Sequence, residues 1–331
     1  MIEMEDKKEG SVCVTGGEGF VASWLITRLL QHGYSVNTTI MTDPDTNEDI
    51  SYLTNLPGAS ERLHIFTADL NMPDSFAPAI KGCIGVFHVA HPMEWDEKET
   101  EETKTKRVIN GLLGILQASL DSKTVRRVVY TSSATSVVFN GKDLDIMDEE
   151  CWTDVDYVRS LGVYRGSYVV NKTLAERAAL EFGEKYGLDV VTLVPTWIHG
   201  PFFARRCPNS VRLSMALIFG YEENYKFLVS TSFVHVDDVA RAHIYLFEYP
   251  EAKGRYICSA VDVTIDKLCE FLSARYPEYQ MPNPDSLMGI QPVKLSGLSS
   301  RKLVEAGFTF RYGLEEMFDG AIQNCKEKGF L

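Results

Sequence analysis

Residues 11–33 read SVCVTGGEGFVASWLITRLLQHG. A short β-branched run, a glycine-rich turn and an amphipathic segment follow one another, with Leu25, Leu29 and Leu30 on one helical face and Gly33 as the stop. Strand, tight turn, helix is the opening of a βαβ nucleotide-binding unit. The glycines of Thr15-Gly16-Gly17-Glu18-Gly19-Phe20-Val21-Ala22 let the backbone approach a pyrophosphate, whose charge meets free N–H groups at the helix amino terminus. A glycine turn alone is weak, but this one follows a strand, opens a helix and precedes a second strand at the right distance.

Outward from that loop, β-rich runs alternate with amphipathic segments. Strands are expected at residues 34–40, 62–69, 85–90, 127–133 and 189–195, and helices at 74–82, 99–122 and 168–185. Beyond Pro195 the alternation weakens and Pro/Asn-rich pieces separate short helical segments. Residues 233–248 and a strand near 254–259 return to the sheet. The expected fold is therefore α/β: a Rossmann-type, doubly wound parallel sheet with a smaller, interleaved C-terminal substrate lobe. The expected domains are 1–195 plus 229–258 for the dinucleotide and 196–228 plus 259–331 for the substrate.

The 331 residues can bury a substantial core. With 46 acids against 33 bases the net charge is -13, which repels polyanions and argues against nucleic acid or an anionic membrane as partner. A small ligand fits better, bound by a monomer or a homodimer. No secretory signal or ~20-residue apolar run is evident, and seven scattered cysteines lack a C-x-x-C pair, so a cytoplasmic location without a disulfide framework or zinc site is expected.

Two of fifteen tyrosines have a lysine four residues later, Tyr168 and Tyr249, and Pro250 ends any helix at the second. Tyr168 and Lys172 then share a helical face. A phenol, with a reference pKa near ~10, exchanges protons at neutral pH only if a cation stabilises its anion, and Lys172 supplies one. Ser133 sits at the carboxyl end of a parallel strand, where ligands bind in open sheets and a hydroxyl can polarise a carbonyl. Asp69 and Leu70, closing the third strand, either meet an adenine or cap the next turn. His88, His235 and His243 read as locally hydrogen-bonded rather than metal ligands, and Arg205-Arg206 as a solvated loop or a receiver of an anionic substrate.

Together TGGEGFVAS, VFHVAHPM, VVYTSSATS, YVVNKTLAE, VVTLVP, HVDDVARAHI, GRYICS and AIQNCKEKGFL resemble the plant dihydroflavonol reductase, anthocyanidin reductase and vestitone reductase group of extended short-chain dehydrogenases/reductases, the vestitone reductase branch most of all. The resemblance spans nearly the whole chain. It implies Ser133, Tyr168 and Lys172 as the catalytic set. Cofactor contacts are expected at Thr15, Gly16, Gly19, Phe20, Val21, Met41, Asp43, Asp69, Leu70, Val89, Ala90, Lys172, Pro195 and Ile198, and substrate contacts at His91, Met93, Val138, Tyr168 and Trp197. Three positions depart from the group. His91 stands where Thr or Ser is usual, either as an acid/base or hydrogen-bond donor or as a histidine satisfied in the cleft wall. Val138 stands where dihydroflavonol reductases carry a flavonoid-binding asparagine, and residues 196–202 replace VVGPF.

The acidic stretch IMTDPDTNED, residues 40–49, shaped one further expectation. The same resemblance places an arginine, which would hold the 2′-phosphate of NADP, where Met41 stands, and often another base near Glu48. Loss of a charge-assisted bond, ~1.5–3 kcal/mol, together with carboxylate repulsion would favour NAD(H) over NADP(H), Asp43 or Asp45 accepting from the ribose 2′-hydroxyl.

The expected activity is hydride transfer between a nicotinamide and a ketone, secondary alcohol or hemiacetal of an aromatic plant metabolite. A nucleotide-sugar epimerase or dehydratase on the same scaffold, or a non-catalytic dinucleotide sensor, are the alternatives.

Overall fold

The computed structural model describes residues 10–41, 49–92, 99–142, 144–162, 166–283, 287, 290 and 297–331. The expected contacts Asp43 and Met93, with Asp45 and Glu48, lie outside the described residues. In chain order the strands are β1 (Ser11–Val14), β2 (Ser35–Ile40), β3 (Leu63–Thr67), β4 (Gly85–His88), β5 (Arg127–Thr131), β6 (Ile146–Met147), β7 (Val190–Pro195), β8 (Trp197–His199), β9 (Ser230–His235), β10 (Gly254–Cys258), β11 (Val261–Thr264) and β12 (Gly297–Leu298).

Seven of them form one parallel sheet in the order β10-β7-β5-β4-β1-β2-β3. The winding reverses between β1 and β4, which opens a crevice at their carboxyl ends. Successive strand residues supply opposite faces, as the two-residue pleat requires. Cys13, Val86, Val128 and Tyr130 pack with Leu112, Ile115, Ala175 and Ala179 from the helices Glu101–Ser122 and Gly166–Tyr186. Val12, Val14, Phe87 and Val129 pack on the other face with Leu25, Leu29, Ala240 and Ile244 from the helices Phe20–Gln31 and Val236–Glu248.

Local chemistry sets the helix ends. The long helix starts at Glu101 rather than Glu99 because the Thr100 hydroxyl accepts from the Thr103 N–H at 3.2 Å, a side-chain N-cap followed by Glu101 and Glu102 in the first turn. Arg127, buried in β5, donates to the terminal carbonyls of Leu246 and Tyr249 at 2.6 Å each and pairs with Asp189, pinning the end of the helix Val236–Glu248 under the sheet.

A three-stranded sheet, β11-β9-β8, sits beside the large one. Its Phe233 and Val263 join Val211, Leu217, Leu268, Leu272, Met317 and Phe318 in a separate core. At the junction of the two cores, Arg28 grips Asp237 through two hydrogen bonds of 2.5 Å and the Tyr312 hydroxyl donates to the same carboxylate at 2.8 Å. Among the described residues no helix is long and apolar enough to cross a membrane.

Candidate functional site

The crevice at the reversal of the winding is built from the ends of β1, β4 and β5. Thr15, fully buried, fastens two of them: its hydroxyl accepts from the N–H groups of Val89 at 3.1 Å and Ala90 at 3.0 Å, leaving its proton for His88 Nδ1 at 2.9 Å. Gly16 follows with φ +72°, the left-handed region that glycine enters without strain, and its N–H donates to the Thr39 hydroxyl. Gly17 is packed so closely that a Cβ there would lie 2.4 Å from Thr38 Oγ1. Gly19 is the N-cap of the helix Phe20–Gln31, and no side chain caps that end. The first N–H groups of that helix therefore have no side-chain acceptor at the cap, and the turn before them requires glycine at residues 16 and 17. These features fit a pyrophosphate.

The other expected cofactor positions are spread over several elements. Phe20 packs on the core of the small sheet and Val21 on the cluster of Val191 and Val234. Asp69 Oδ1 accepts from the Asn71 backbone and side chain, at 2.8 and 3.0 Å, which forms a local turn. Leu70 packs on the cluster of Leu112. The Pro195 carbonyl accepts from Ala134 N–H at 2.9 Å, and so ties the end of β7 to the residue after Ser133. Ile198 and Trp197, adjacent in β8, pack on different clusters. Val138 belongs to a small cluster with Val137, Met147 and Val194. Met41 is 65% exposed at the end of β2, and its N–H donates to Glu18.

The helix Gly166–Tyr186 places Tyr168 and Lys172 one turn apart. Lys172 is buried, donates to the Thr131 carbonyl at 3.0 Å and lies 5.5 Å from the Tyr130 ring centre. Burial lowers its pKa to about 8, and the Glu176 carboxylate opposes that fall. Ser133 follows β5, its hydroxyl 3.3 Å from the Thr135 N–H. His91 meets Tyr168 edge-on, with ring centroids 5.3 Å apart. Burial first, and then Lys172 and His88, hold the His91 pKa well below the usual value. His88 is pushed down to about 3, by burial and then by Lys172, and stacks on Tyr130. The cation beside Tyr168 thus stands among neutral imidazoles.

His88, His235 and His243 make local hydrogen bonds, with Thr15, the Asp237 N–H and Thr131 respectively. Arg205 pairs with Asp49 at 2.8 Å, so the loop after Pro201 reaches the turn after β2. Sequence reasoning passed over Glu176 and Arg255. Glu176 has the same signal that found Lys172, a four-residue step along one helical face, but it reads as a solvated charge.

The profile of the NAD dependent epimerase/dehydratase family matches residues 12–258. Vestitone reductase of Medicago sativa is 54% identical over 323 residues, 98% of this chain and 99% of that protein. Protein BRI1-5 ENHANCED 1 of Arabidopsis thaliana is 56% identical over 97% of this chain and 90% of its own length, and a dihydroflavonol 4-reductase of Zea mays is 46% identical over 98% and 90%. The crystal structure of vestitone reductase from alfalfa superposes with a TM-score of 0.87 at 52% identity, covering 98% of this chain and all of that one (100%). The yeast methylglyoxal/isovaleraldehyde reductase Gre2, solved with NADPH, follows with a TM-score of 0.78 at 25% identity over 97% and 100% of the two chains.

That NADPH complex overturns the expected preference for NAD(H). Of the acids in the 40–49 stretch Asp49 is described, and it pairs with Arg205 at 2.8 Å, whereas Asp43, Asp45 and Glu48, on which the expectation rested, lie outside the described residues. Nothing among the described residues favours NAD(H) over NADP(H). The chain belongs to the NAD dependent epimerase/dehydratase family and, within it, to the plant vestitone reductase and dihydroflavonol reductase group of extended short-chain dehydrogenases/reductases.

Proposed function

We propose that this oxidoreductase interconverts a ketone and a secondary alcohol, or a hemiacetal, on a small aromatic plant metabolite, with Ser133, Tyr168 and Lys172 as its reacting set. The observation that carries the reading is the buried Lys172 ammonium, held by the Thr131 carbonyl one turn from Tyr168. A bound nicotinamide dinucleotide would supply or accept the hydride, its pyrophosphate held at Gly16, Gly19 and the N–H groups of Phe20 and Val21.

The remaining chemistry belongs to the chain. In the reducing direction the Ser133 hydroxyl donates a hydrogen bond to the carbonyl oxygen, and the Tyr168 phenol transfers its proton to that oxygen. Lys172 stabilises the phenolate left behind, which bulk water then reprotonates. In the oxidising direction the phenolate takes the alcohol proton.

The aromatic substrate class is supported by the relatives named vestitone reductase and dihydroflavonol 4-reductase. His91, Met93, Val138 and Trp197 are proposed as substrate contacts, and Val138 in place of asparagine disfavours a dihydroflavonol. A net charge of -13 also disfavours a nucleotide-sugar substrate with its pyrophosphate. We take residues 1–195 plus 229–258 as the dinucleotide unit and the remainder as the substrate lobe, β9 forming the seam where it pairs with β8 and β11. Seven free thiols support a cytosolic enzyme, and a monomer or homodimer is proposed.

The test is turnover of a panel of aromatic ketones with NADPH and NADH, and of the matching alcohols with NADP and NAD. Tyr168→Phe removes the proton relay and keeps the ring. Turnover should vanish while NADPH still binds, and near-normal turnover would overturn the mechanism.

A further inference from the structure

Beneath the proton-handling face lies a buried carboxylate. Glu176 is 0% exposed, one turn past Lys172 in the same helix. Its Oε2 accepts from the Ser132 hydroxyl at 2.6 Å and lies 2.5 Å from the Ser136 hydroxyl, while Oε1 accepts from Thr192 in β7 at 2.6 Å. Arg255, from β10, donates to both oxygens through Nε at 2.9 Å and Nη2 at 3.2 Å. That guanidinium is itself fixed: Nη1 donates to the carbonyls of Glu149 and Cys151 at 2.9 and 2.6 Å, and the Trp152 ring centre lies 3.6 Å away.

The serines that Glu176 holds flank Ser133. Ser136 returns to it through its N–H, 2.9 Å from the Ser133 carbonyl, which leaves its one hydroxyl proton for Glu176. One carboxylate therefore spans the helix of Tyr168 and Lys172, the turn of Ser133, and strands β7 and β10.

We propose that Glu176, fixed by Arg255, is a positioning residue for the reaction, holding the Ser133 turn in register with the Tyr168 helix and keeping a negative charge behind Lys172. The proposal rests on the reading of Ser133, Tyr168 and Lys172 as the reacting set. Stability alone is a poor reason for the arrangement, because a buried ion pair seldom stabilises a fold more than an apolar pair of equal volume. Its directed bonds to the two serines around Ser133 are what an apolar pair would lack. Lys172 is faced by Tyr168 and Glu176 on its own helix, by Tyr130 on β5, by His88 at the end of β4 and by His91 just beyond it. Glu176 is the acid in that set, so its removal makes the ammonium harder to keep.

Glu176→Gln in the full chain tests this, with NADPH as the binding probe and the panel ketone turned over fastest as the kinetic one. NADPH affinity should stay within about threefold of wild type, kcat should fall by about tenfold or more, and the alkaline limb of the kcat profile should move down by at least about half a pH unit. The Lys172 titration, followed without substrate by ¹³C NMR of its ε-carbon, should shift in the same direction. Ser132→Ala keeps the carboxylate and cuts one tie, so it should lower kcat and leave the limb in place.

A folded Glu176→Gln with wild-type kcat, limb and lysine titration overturns the proposal. If that variant does not fold, Ser132→Ala decides, and wild-type kcat there overturns the positioning role. Tyr168→Phe run alongside separates the failures: full turnover in it removes the reading itself, whereas an inactive Tyr168→Phe beside an unaltered Glu176→Gln removes only the role of Glu176.

Discussion

The imidazole of His91 stands perpendicular to the Tyr168 ring, with centroids 5.3 Å apart and planes at 90°. An edge-to-face pair of this kind is worth ~0.5–1.5 kcal/mol and fixes the phenol's direction. Burial and the Lys172 charge hold His91 neutral, so the substrate role proposed for it is that of an orienting or neutral hydrogen-bonding group. His91→Ser, the small hydroxyl usual in the group, should therefore lower kcat/KM by roughly threefold to tenfold with little change in NADPH affinity. Its pH profile between 5 and 7 should match wild type. An acid limb that disappears with the histidine would assign it proton transfer instead.

Lys172 yields a prediction at the other end of the scale. Its pKa, lowered to about 8 chiefly by burial, means that the ammonium is present below that pH and lost above it. On the proposed mechanism the phenolate then loses its stabilising charge, so kcat/KM should decline above about pH 8. Lys172→Arg keeps a charge at every accessible pH and should flatten the limb at much reduced activity, since a planar fork cannot reproduce the single bond to the Thr131 carbonyl. A wild-type limb two units higher would show that the lysine is far better solvated than its burial implies.

The nucleotide loop separates packing from ligand contact. At Gly17 a new Cβ meets Thr38 Oγ1 at 2.4 Å, and Thr38 cannot yield without losing its 2.8 Å bond to the Val14 carbonyl. Gly17→Ala should cost about 1–3 kcal/mol of stability and weaken NADPH binding together. At Gly19 the same atom meets only the Gly16 carbonyl, at 3.1 Å, and the backbone is extended with φ -71°. Gly19→Ala should thus retain most of its stability while losing NADPH affinity. Denaturant melts paired with NADPH titrations distinguish the two, and equal stability losses would refute the difference in packing.

What the sequence revealed of this architecture was local. Glycine punctuation and alternating apolar runs exposed the parallel sheet because each strand–turn–helix unit carries its own signal, as in residues 11–33. That Tyr168 and Lys172 lie one turn apart on one helix was legible for the same reason. Glu176 and Arg255 stand 79 residues apart, and nothing along the chain marks them as partners. Within the acidic turn the same holds of Asp49, whose partner Arg205 lies 156 residues later and is not marked by anything nearby in the chain. Strand β8 was missed because three residues, Trp197–His199, are too few to show an alternation.

Four buried histidines besides His91 lead to a prediction for the whole fold. His88 and His199 titrate at about 3, His235 and His243 at about 4, all depressed chiefly by burial. Unfolded, each would bind a proton near pH ~6.5. Below that value the unfolded chain holds protons that the folded chain excludes, so stability is complete above about pH 6.5 and declines as the pH falls toward the folded values. The slope is about 1.4 kcal/mol per pH unit for each histidine once its unfolded form is fully charged. Summed over the four, the loss by pH 5 is on the order of 8 kcal/mol, comparable to the entire stability of an ordinary domain. Asp238 and Glu149, whose pKa values burial raises, work in the opposite sense and offset part of the decline at its acid end. Urea denaturation at pH 7.5, 6.5 and 5.5 should show a steepening fall. His243→Gln, which removes one titrating ring while keeping groups for the Val239 carbonyl and the Thr131 hydroxyl, should be less stable at neutral pH yet lose stability more slowly on acidification. Stability that stays level from pH 7.5 to 5.5 would mean that these imidazoles take up protons without unfolding, and that their burial does not exclude charge.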